Sequence, residues 1–558
     1  MTAADRLRAR TSRVALEQRL GLRAPPATLT GGRAEAGQRL LDGRLWLAGR
    51  EVALAPAGPW DLPQSAAEAQ ALHRFGWLDD LTARGGTEAR ALARQWTDLW
   101  SAQFANRKRD AAWRPEITGQ RLLSLMVNAP LLLDARPLPE AEALVALMVA
   151  HLGHLAARAE AAHPGLPRLT ALGALVTASL CLPGQGGHTI LAQAALSQHC
   201  AEVVEPDGGL PDRNPQALAA ALAVLVTARA ALIEAGQAPD PVHEGAVTRM
   251  AGAVRALRHG DGGMARFHGG GSGDADGIDR VLAALDLRPR PAGGGAMGFA
   301  RLAAGRTVVI ADVATPPPGG AASMLAFELS SARCPVIVSR GAVMGCGPHW
   351  AHAGRAPEAH ATVCLDGVAP ARGAVVDGRP EQSEGAAGGV ALVHSHDGHA
   401  ASHGLTVVRR LELSRDGRAL SGAEMLLCVD GAQRQRFAAR LAGAGDGAGL
   451  RVSVRFPLHP DVVPRLDLAA RCVHIALTGG TVWRLTCHEG AAPGLEPAVF
   501  LDDAGSGQAR PTAQVVLICD VTAPGHQIVW TLARSDARPA AGHDPDPAND
   551  PVPDPTGA

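Results

Sequence analysis

The feature that most constrains the fold is a change of hydrophobic period near residue 290. Before it, apolar residues recur at three- and four-residue spacing in Thr87–Trp100, Gly119–Leu133, Pro139–Ala161, Leu169–Leu182, Thr189–Val204, Gln216–Ala235 and Val242–His259. That spacing lines one face of a helix, so seven long helices are predicted. Pro and Gly punctuate them, at Pro115, Pro137, Pro164 to Pro167, Pro183 to Gly187 and Pro206 to Pro215. Asn214-Pro215 reads as a helix start, with Asn214 as N-cap and Pro215 at the first helical position. Long helices joined by short turns predict antiparallel helical hairpins in a bundle or toroid.

After residue 290 the runs shorten and become β-rich: Arg306-Thr-Val-Val-Ile-Ala-Asp312, then Leu325–Leu329, Val336–Val338, Ala361–Leu365, Val390–His394, Leu405–Leu413, Ala423–Val429, Leu450–Phe456, Val473–Leu477, Val482–Cys487, Ala513–Cys519 and Ile528–Leu532. Gly, Asp and Pro separate them, as in antiparallel sheets stacked into a sandwich. The expected organisation is an N-terminal arm over residues 1–34, a helical domain over 35–290, a β-sandwich domain over 291–536 and a disordered, Asp- and Pro-rich tail over 537–558.

Charge and cysteine usage narrow the function classes. Lys and Arg total 53 against 54 Asp and Glu, a net charge of −1, which excludes a polybasic nucleic-acid binder. Nine cysteines, an odd number with no Cys-x-x-Cys pair, argue against a disulfide framework or a zinc ribbon. No apolar run reaches the ~18 residues of a membrane span, and Met1 to Arg23 lacks the apolar core of a secretory signal. These points favour a cytoplasmic chain without a membrane span. Tyr is absent, so no step here can use a phenol.

Ten short segments, in order along nearly the whole chain, resemble the heparinase II/III family in its alphaproteobacterial form. They are Pro59-Trp-Asp-Leu-Pro63, Trp113-Arg-Pro115, Asn128-Ala-Pro-Leu-Leu-Leu133, Gly165-Leu-Pro-Arg-Leu169, Asp207-Gly-Gly209 with Arg213-Asn-Pro215, Arg258-His-Gly-Asp-Gly-Gly263, Phe327-Glu-Leu-Ser-Ser331, Ala359-His360, His396-Asp-Gly398 and Leu458-His-Pro-Asp-Val462. The resemblance implies an incomplete α/α toroid followed by an antiparallel β-sandwich. It also implies eliminative cleavage of an acidic, uronic-acid polysaccharide, often with a structural metal, and a place in the cell envelope, against the cytoplasmic reading above.

β-Elimination needs a donor that neutralises the uronate carboxylate, a base for the adjacent proton and an acid for the departing oxygen. By resemblance Asn214 is the neutralising amide and His360 a base or metal ligand, with Arg213 and His268 placed to bind substrate; with no phenol in the chain, His399 or His268 must serve as the acid. His394, His396, His399 and His403 with Asp397 form the densest histidine cluster. Residues two apart share one face of a strand, so His394 and His396 could chelate one divalent ion, most naturally Zn²⁺, with His360 as a third ligand. A solvated hairpin is the plainer reading of the same histidines, as a helix cap is for Asn214. Trp77, Trp96, Trp100 and Trp113 either stack on sugars or pack between helices.

The chain departs from the family pattern at several of these positions. His399 stands where the family commonly has the Tyr of His-Asp-Gly-Tyr, Val407 where it has a histidine, Gly320-Ala-Ala-Ser323 where it has Ala-His-Ala-Gly, and Phe299 where a hydroxyl-bearing ring is frequent. A catalytically degenerate glycan-binding protein on the same fold is therefore the alternative to a lyase.

Overall fold

In the computed structural model the described residues are 20–23, 31–47, 50–55, 58–62, 65–285, 295–341, 347–371, 376–377, 383–384, 389–444, 449–501 and 509–535. The expected tail, and most of the expected N-terminal arm, lie outside them.

The first half is helical. Its long helices are Gly86–Phe104, Pro115–Val127, Leu138–Arg158, Leu166–Cys181, Thr189–Val203, Pro215–Glu234 and Pro241–Ala256. Each expected helix is present, with one division: the run predicted over Gly119–Leu133 ends at Val127 and resumes as Ala129–Leu133. Asn128 at this joint donates from Nδ2 to Asp79 and to the Ser124 carbonyl, filling the break with side-chain bonds. A hairpin, Arg44–Leu47 with Arg50–Ala53, was not expected from the sequence.

Two helices, Leu138–Ala161 and Pro215–Glu234, are long and apolar enough to cross a membrane by length and composition. The second buries Leu218, Leu222, Leu225 and Leu232 against its neighbours, chiefly Leu166–Cys181. Trp77, Trp96, Trp100 and Trp113 are all buried, so they are packing residues and not a sugar platform. Arg121, fully buried among them, sits 4.1 Å over the Trp100 ring and donates to His151 and to the His73 and Ala112 carbonyls.

After Ala275–Ala283 the chain builds three sheets, and all their strand pairs are antiparallel. A five-stranded sheet runs from Gly295–Ala296 to Cys334–Ile337, a four-stranded sheet is built around Leu450–Pro457, and a nine-stranded sheet runs from Ser383–Glu384 to Val463–Asp467. Alternate side chains from all three, among them Val309, Leu411, Val452, Phe456 and Trp530, meet in one core. The architecture is a helical toroid-like half followed by an antiparallel β-sandwich, as expected.

The sandwich core carries an ion pair. Arg409 and Glu424 face each other across adjacent strands, both buried. Arg409 also donates to the Leu325 and Ala361 carbonyls, and Trp530 Nε1 donates to Glu424.

Candidate functional site

The residues singled out in the sequence separate into two places. Arg213, Asn214, His268 and His360 lie on the seam between the helical half and the sandwich. His394, His396, His399 and His403 lie on the strand Val390–His399 and the turn after it.

At the seam, the Asp207–Pro215 loop turns the chain into the helix Pro215–Glu234. Asn214 caps that helix, its Oδ1 accepting from the Ala217 N–H at 3.1 Å. The cap uses the oxygen and leaves Nδ2 without a partner among the described residues. Gly270 passes so close that a Cβ there would lie 2.4 Å from Asn214 Oδ1, which ties the loop after His268 to the cap.

Arg213, expected to bind substrate, is spent on the protein itself. Its guanidinium donates to the carbonyls of Met297 (2.7 Å), Gly298 (2.9 Å), Ala314 (3.1 Å) and Thr315 (2.9 Å) and to Asp312 Oδ1, and it lies 4.7 Å over the Phe299 ring. No donor remains for a ligand, so that expectation is corrected: Arg213 is a latch between the two halves.

Asp312 is the other half of the latch. Burial alone would raise its carboxyl, but Arg213, His268 and the Ser323 hydroxyl outweigh burial and hold it below the usual range. His268 Nε2 stands 3.4 Å from Asp312 Oδ2, while its Nδ1 accepts the Ala321 N–H at 3.3 Å. Both ring nitrogens thus face protein, and the side chain is about 1% exposed. Arg213 and His268 both adopt positive φ, 50° and 51°, a conformation that a non-glycine residue keeps only when its surroundings hold it there.

His360 is buried alongside. Its Nδ1 meets Ser339 Oγ at 3.0 Å, and its Nε2 has no hydrogen-bond partner. Burial, then neighbouring His268, lowers its pKa to about 4, so it is a neutral imidazole at pH 7. A second buried carboxylate, Glu328, accepts from His259 Nε2 (3.0 Å), the Arg266 N–H (3.1 Å) and the Ser339 N–H (2.9 Å). Ser339 therefore links Glu328 to His360. Neither Asp312 nor Glu328 was singled out from the sequence. Asp312 ends the run Arg306–Asp312 and Glu328 interrupts the run Leu325–Leu329; a charge set in a β-rich apolar run is the signal that could have marked them.

A cleft of about 740 Å³ opens beside the seam. Gln216, Ser272 and Gly273 line it from the helical half, and Arg333, His459 and Phe500 from the sandwich. Its wall carries five arginines, Arg33, Arg266, Arg280, Arg333 and Arg510, against Asp261, Asp274, Asp276 and Asp461.

The histidine strand does not make the expected metal centre. His394 and His396 share the inward face, as the two-residue repeat requires. Yet no set of three ligand atoms within 4.8 Å among the described residues includes either of them, or His360. Arg409 adds a charge that disfavours a dication there: it pairs with His394 across the strands, donates to the Ala361 carbonyl beside His360 and acts electrostatically on His396. His399 lies between His396 (5.9 Å, tilted) and His403 (5.6 Å, edge-on), with both ring nitrogens buried and without partners. Burial lowers His396 to about 3 and His399 to about 4, so both are neutral and His399 is not poised as an acid at pH 7.

Comparison with known proteins supplies the kinship. Residues 286–531 match the family described as heparinase II/III-like, C-terminal. FtsZ-localized protein C of Caulobacter vibrioides (strain NA1000 / CB15N) is 31% identical over 557 residues, covering 94% of this chain and 92% of the relative. The chain belongs to the heparinase II/III-like family. Two solved structures share its fold at low identity. Heparinase III superposes with a TM-score of 0.68 at 11% identity, over 94% of this chain and 89% of that one. A heparan sulfate lyase HepC mutant from Pedobacter heparinus does so with 0.59 at 14%, over 95% and 89%. The toroid-plus-sandwich architecture of this heparinase II/III-like chain is thus that of known lyases, and its stronger sequence match is to a relative not named as an enzyme.

Proposed function

We propose that this chain is a heparinase II/III-like protein that no longer performs β-elimination and serves instead as a scaffold localised with FtsZ, as its Caulobacter relative is named. One observation carries the reading. At the seam that would hold the elimination machinery, Arg213 spends all its donors on the protein, Asp312 among the acceptors, His268 stands 3.4 Å from the same carboxylate, and the Asn214 oxygen caps a helix. The acid is missing as well. There is no tyrosine in the chain; His399 is buried and neutral, and His268 is buried with its Nε2 3.4 Å from Asp312. A base works best with a pKa near the working pH, and His360 at about 4 is a weak one. The described cysteines are all thiols, several of them deeply buried, which suits the reducing compartment of the cytoplasm. The test is imaging of a fluorescent fusion of the full chain together with labelled FtsZ in the native host. Coincident signals are expected; a uniform or purely peripheral signal while FtsZ is assembled would count against the reading.

A second reading is a polysaccharide lyase acting on an acidic glycan. It is favoured by the free Nδ2 of Asn214, the unpaired Nε2 of His360 and a cleft reaching Gln216 whose wall carries five arginines. In that reading Asn214 donates to the uronate carboxylate and His360 accepts the proton. Its signature is an ultraviolet-absorbing unsaturated uronate that disappears in Asn214→Ala.

A further inference from the structure

Far from the seam, at the outer edge of the nine-stranded sheet, the strands Val463–Asp467 and Cys472–Ala476 form a hairpin. Asp467 and Cys472 are its last cross-strand pair. Cys472 and His474 are two residues apart on one strand, so their side chains share a face, while Val473 and Ile475 between and beyond them point into the sandwich core. The result is a carboxylate oxygen, a thiol sulfur and an imidazole nitrogen that all lie within 4.8 Å of one another. Nothing in the family chemistry discussed above uses these three residues.

We propose that Asp467, Cys472 and His474 form an open binding site for a borderline-soft divalent transition ion of the zinc class. Carboxylate, thiolate and imidazole together are a donor set that zinc accepts and that magnesium or calcium does not favour. The spacing fits. Cys472 Sγ and His474 Nε2 are 3.5 Å apart. A tetrahedral ion with bonds of about 2.3 Å to sulfur and about 2.0–2.1 Å to nitrogen requires about 3.6 Å between those atoms. Asp467 is held at the turn by the Ala470 N–H, which donates to its Oδ1 at 2.9 Å, and a carboxylate oxygen lies within 4.8 Å of both other donors.

The charges close. A thiolate and a carboxylate neutralise a dication, with the imidazole neutral, and the Cys472 thiol proton passes to solvent as the metal–sulfur bond forms. Arg465 and Arg484 flank His474 on the two neighbouring strands. Both are exposed, so water screens them and their heads can turn outward. Three protein ligands leave a fourth position for water or for a donor from another molecule, as open zinc sites do. Because Cys472 is buried while Asp467 and His474 are half-exposed, the ion enters from the solvent side without opening the core.

The probe is Co²⁺ alone, added to full-length protein purified without a histidine tag and stripped with a chelator. The expected result is saturable uptake of a single ion per chain, with thiolate-to-cobalt absorption in the near ultraviolet and visible bands of tetrahedral cobalt. Cys472→Ser, a near-isosteric change, should abolish the sulfur band. Asp467→Asn and His474→Gln, at half-exposed positions that do not hold the core, should weaken uptake while the far-ultraviolet dichroism stays unchanged. Wild-type protein with no sulfur band overturns the proposal. So does a band that survives Cys472→Ser, or uptake indifferent to both Asp467→Asn and His474→Gln.

Discussion

Replacing Arg213 by Met should destabilise the protein severely, and the structure sets the size of the effect. The Arg213 guanidinium reaches four carbonyls and Asp312, whose side chain is wholly buried. Met fills much of the same volume but leaves Asp312 with only the Ser323 hydroxyl at 2.7 Å and His268 at 3.4 Å. A buried ion pair broken from one side typically costs about 3–5 kcal/mol, because the remaining charge is uncompensated. Replacing both partners, as in Arg213→Met with Asp312→Leu, removes the stranded charge. The double variant should therefore lose less than the two single losses added, by about 1–3 kcal/mol. Urea unfolding followed by tryptophan fluorescence measures this, since buried tryptophans stand in both halves, Trp100 and Trp113 in one and Trp483 and Trp530 in the other. The pH dependence has a definite sign. Asp312 has a folded pKa held below its unfolded value, so its contribution is present in full above about pH 4 and fades as the pH falls further. An Arg213→Met variant within about 0.5 kcal/mol of wild type at pH 7, or strictly additive single changes, would refute the latch.

Three further outcomes are expected. His73, His360, His396 and His399 are held neutral by burial, with pKa values of about 4, 4, 3 and 4. The unfolded chain binds protons below about pH 6.5 that the folded chain refuses, so stability should fall between about pH 6.5 and 4, by up to about 1.4 kcal/mol per pH unit for each histidine. Unfolding midpoints across that range would show a flat profile if these rings were protonated in the folded state. Gly422→Ala should cost about 1–3 kcal/mol, because the new Cβ would lie 2.0 Å from Trp530 Cζ2, part of a rigid buried ring; an unchanged thermal midpoint would contradict that packing. Arg121→Met should lower the midpoint of the helical half by stranding the His73 and Ala112 carbonyls and His151, whereas a change at exposed Arg109 should leave it unmoved.

Much of the architecture was legible because it is carried by local pattern. The apolar spacing of Gln216–Ala235 and the Asn214-Pro215 start place a helix to within a residue at either end, since cap chemistry and a face of leucines specify it without distant partners. Leu405–Leu413 was equally readable as a short β-rich run bounded by Gly404 and Ser414. What stayed hidden depends on residues far apart in sequence. Arg213 looks like any arginine near a cleft until its partners at Met297 to Thr315 are known. The hairpin Arg44–Leu47 is short, with weak alternation. A count of histidines says nothing of their geometry or of Arg409, whose positive charge enters the same inward row from the neighbouring strand. The Asp467–Cys472–His474 trio was invisible for the opposite reason: its spacing matches no metal motif, and only the hairpin register brings Asp467 opposite Cys472.

The most direct test of the central claim is an elimination assay on the purified full-length chain with a broad panel of uronate-bearing polymers, read by ultraviolet absorbance of the unsaturated product and run beside a heparinase that keeps its tyrosine. No product above background is the predicted result, with the control active on at least one polymer. Product formed by this chain and lost in both Asn214→Ala and His360→Ala would contradict the account and establish the seam as a working active site.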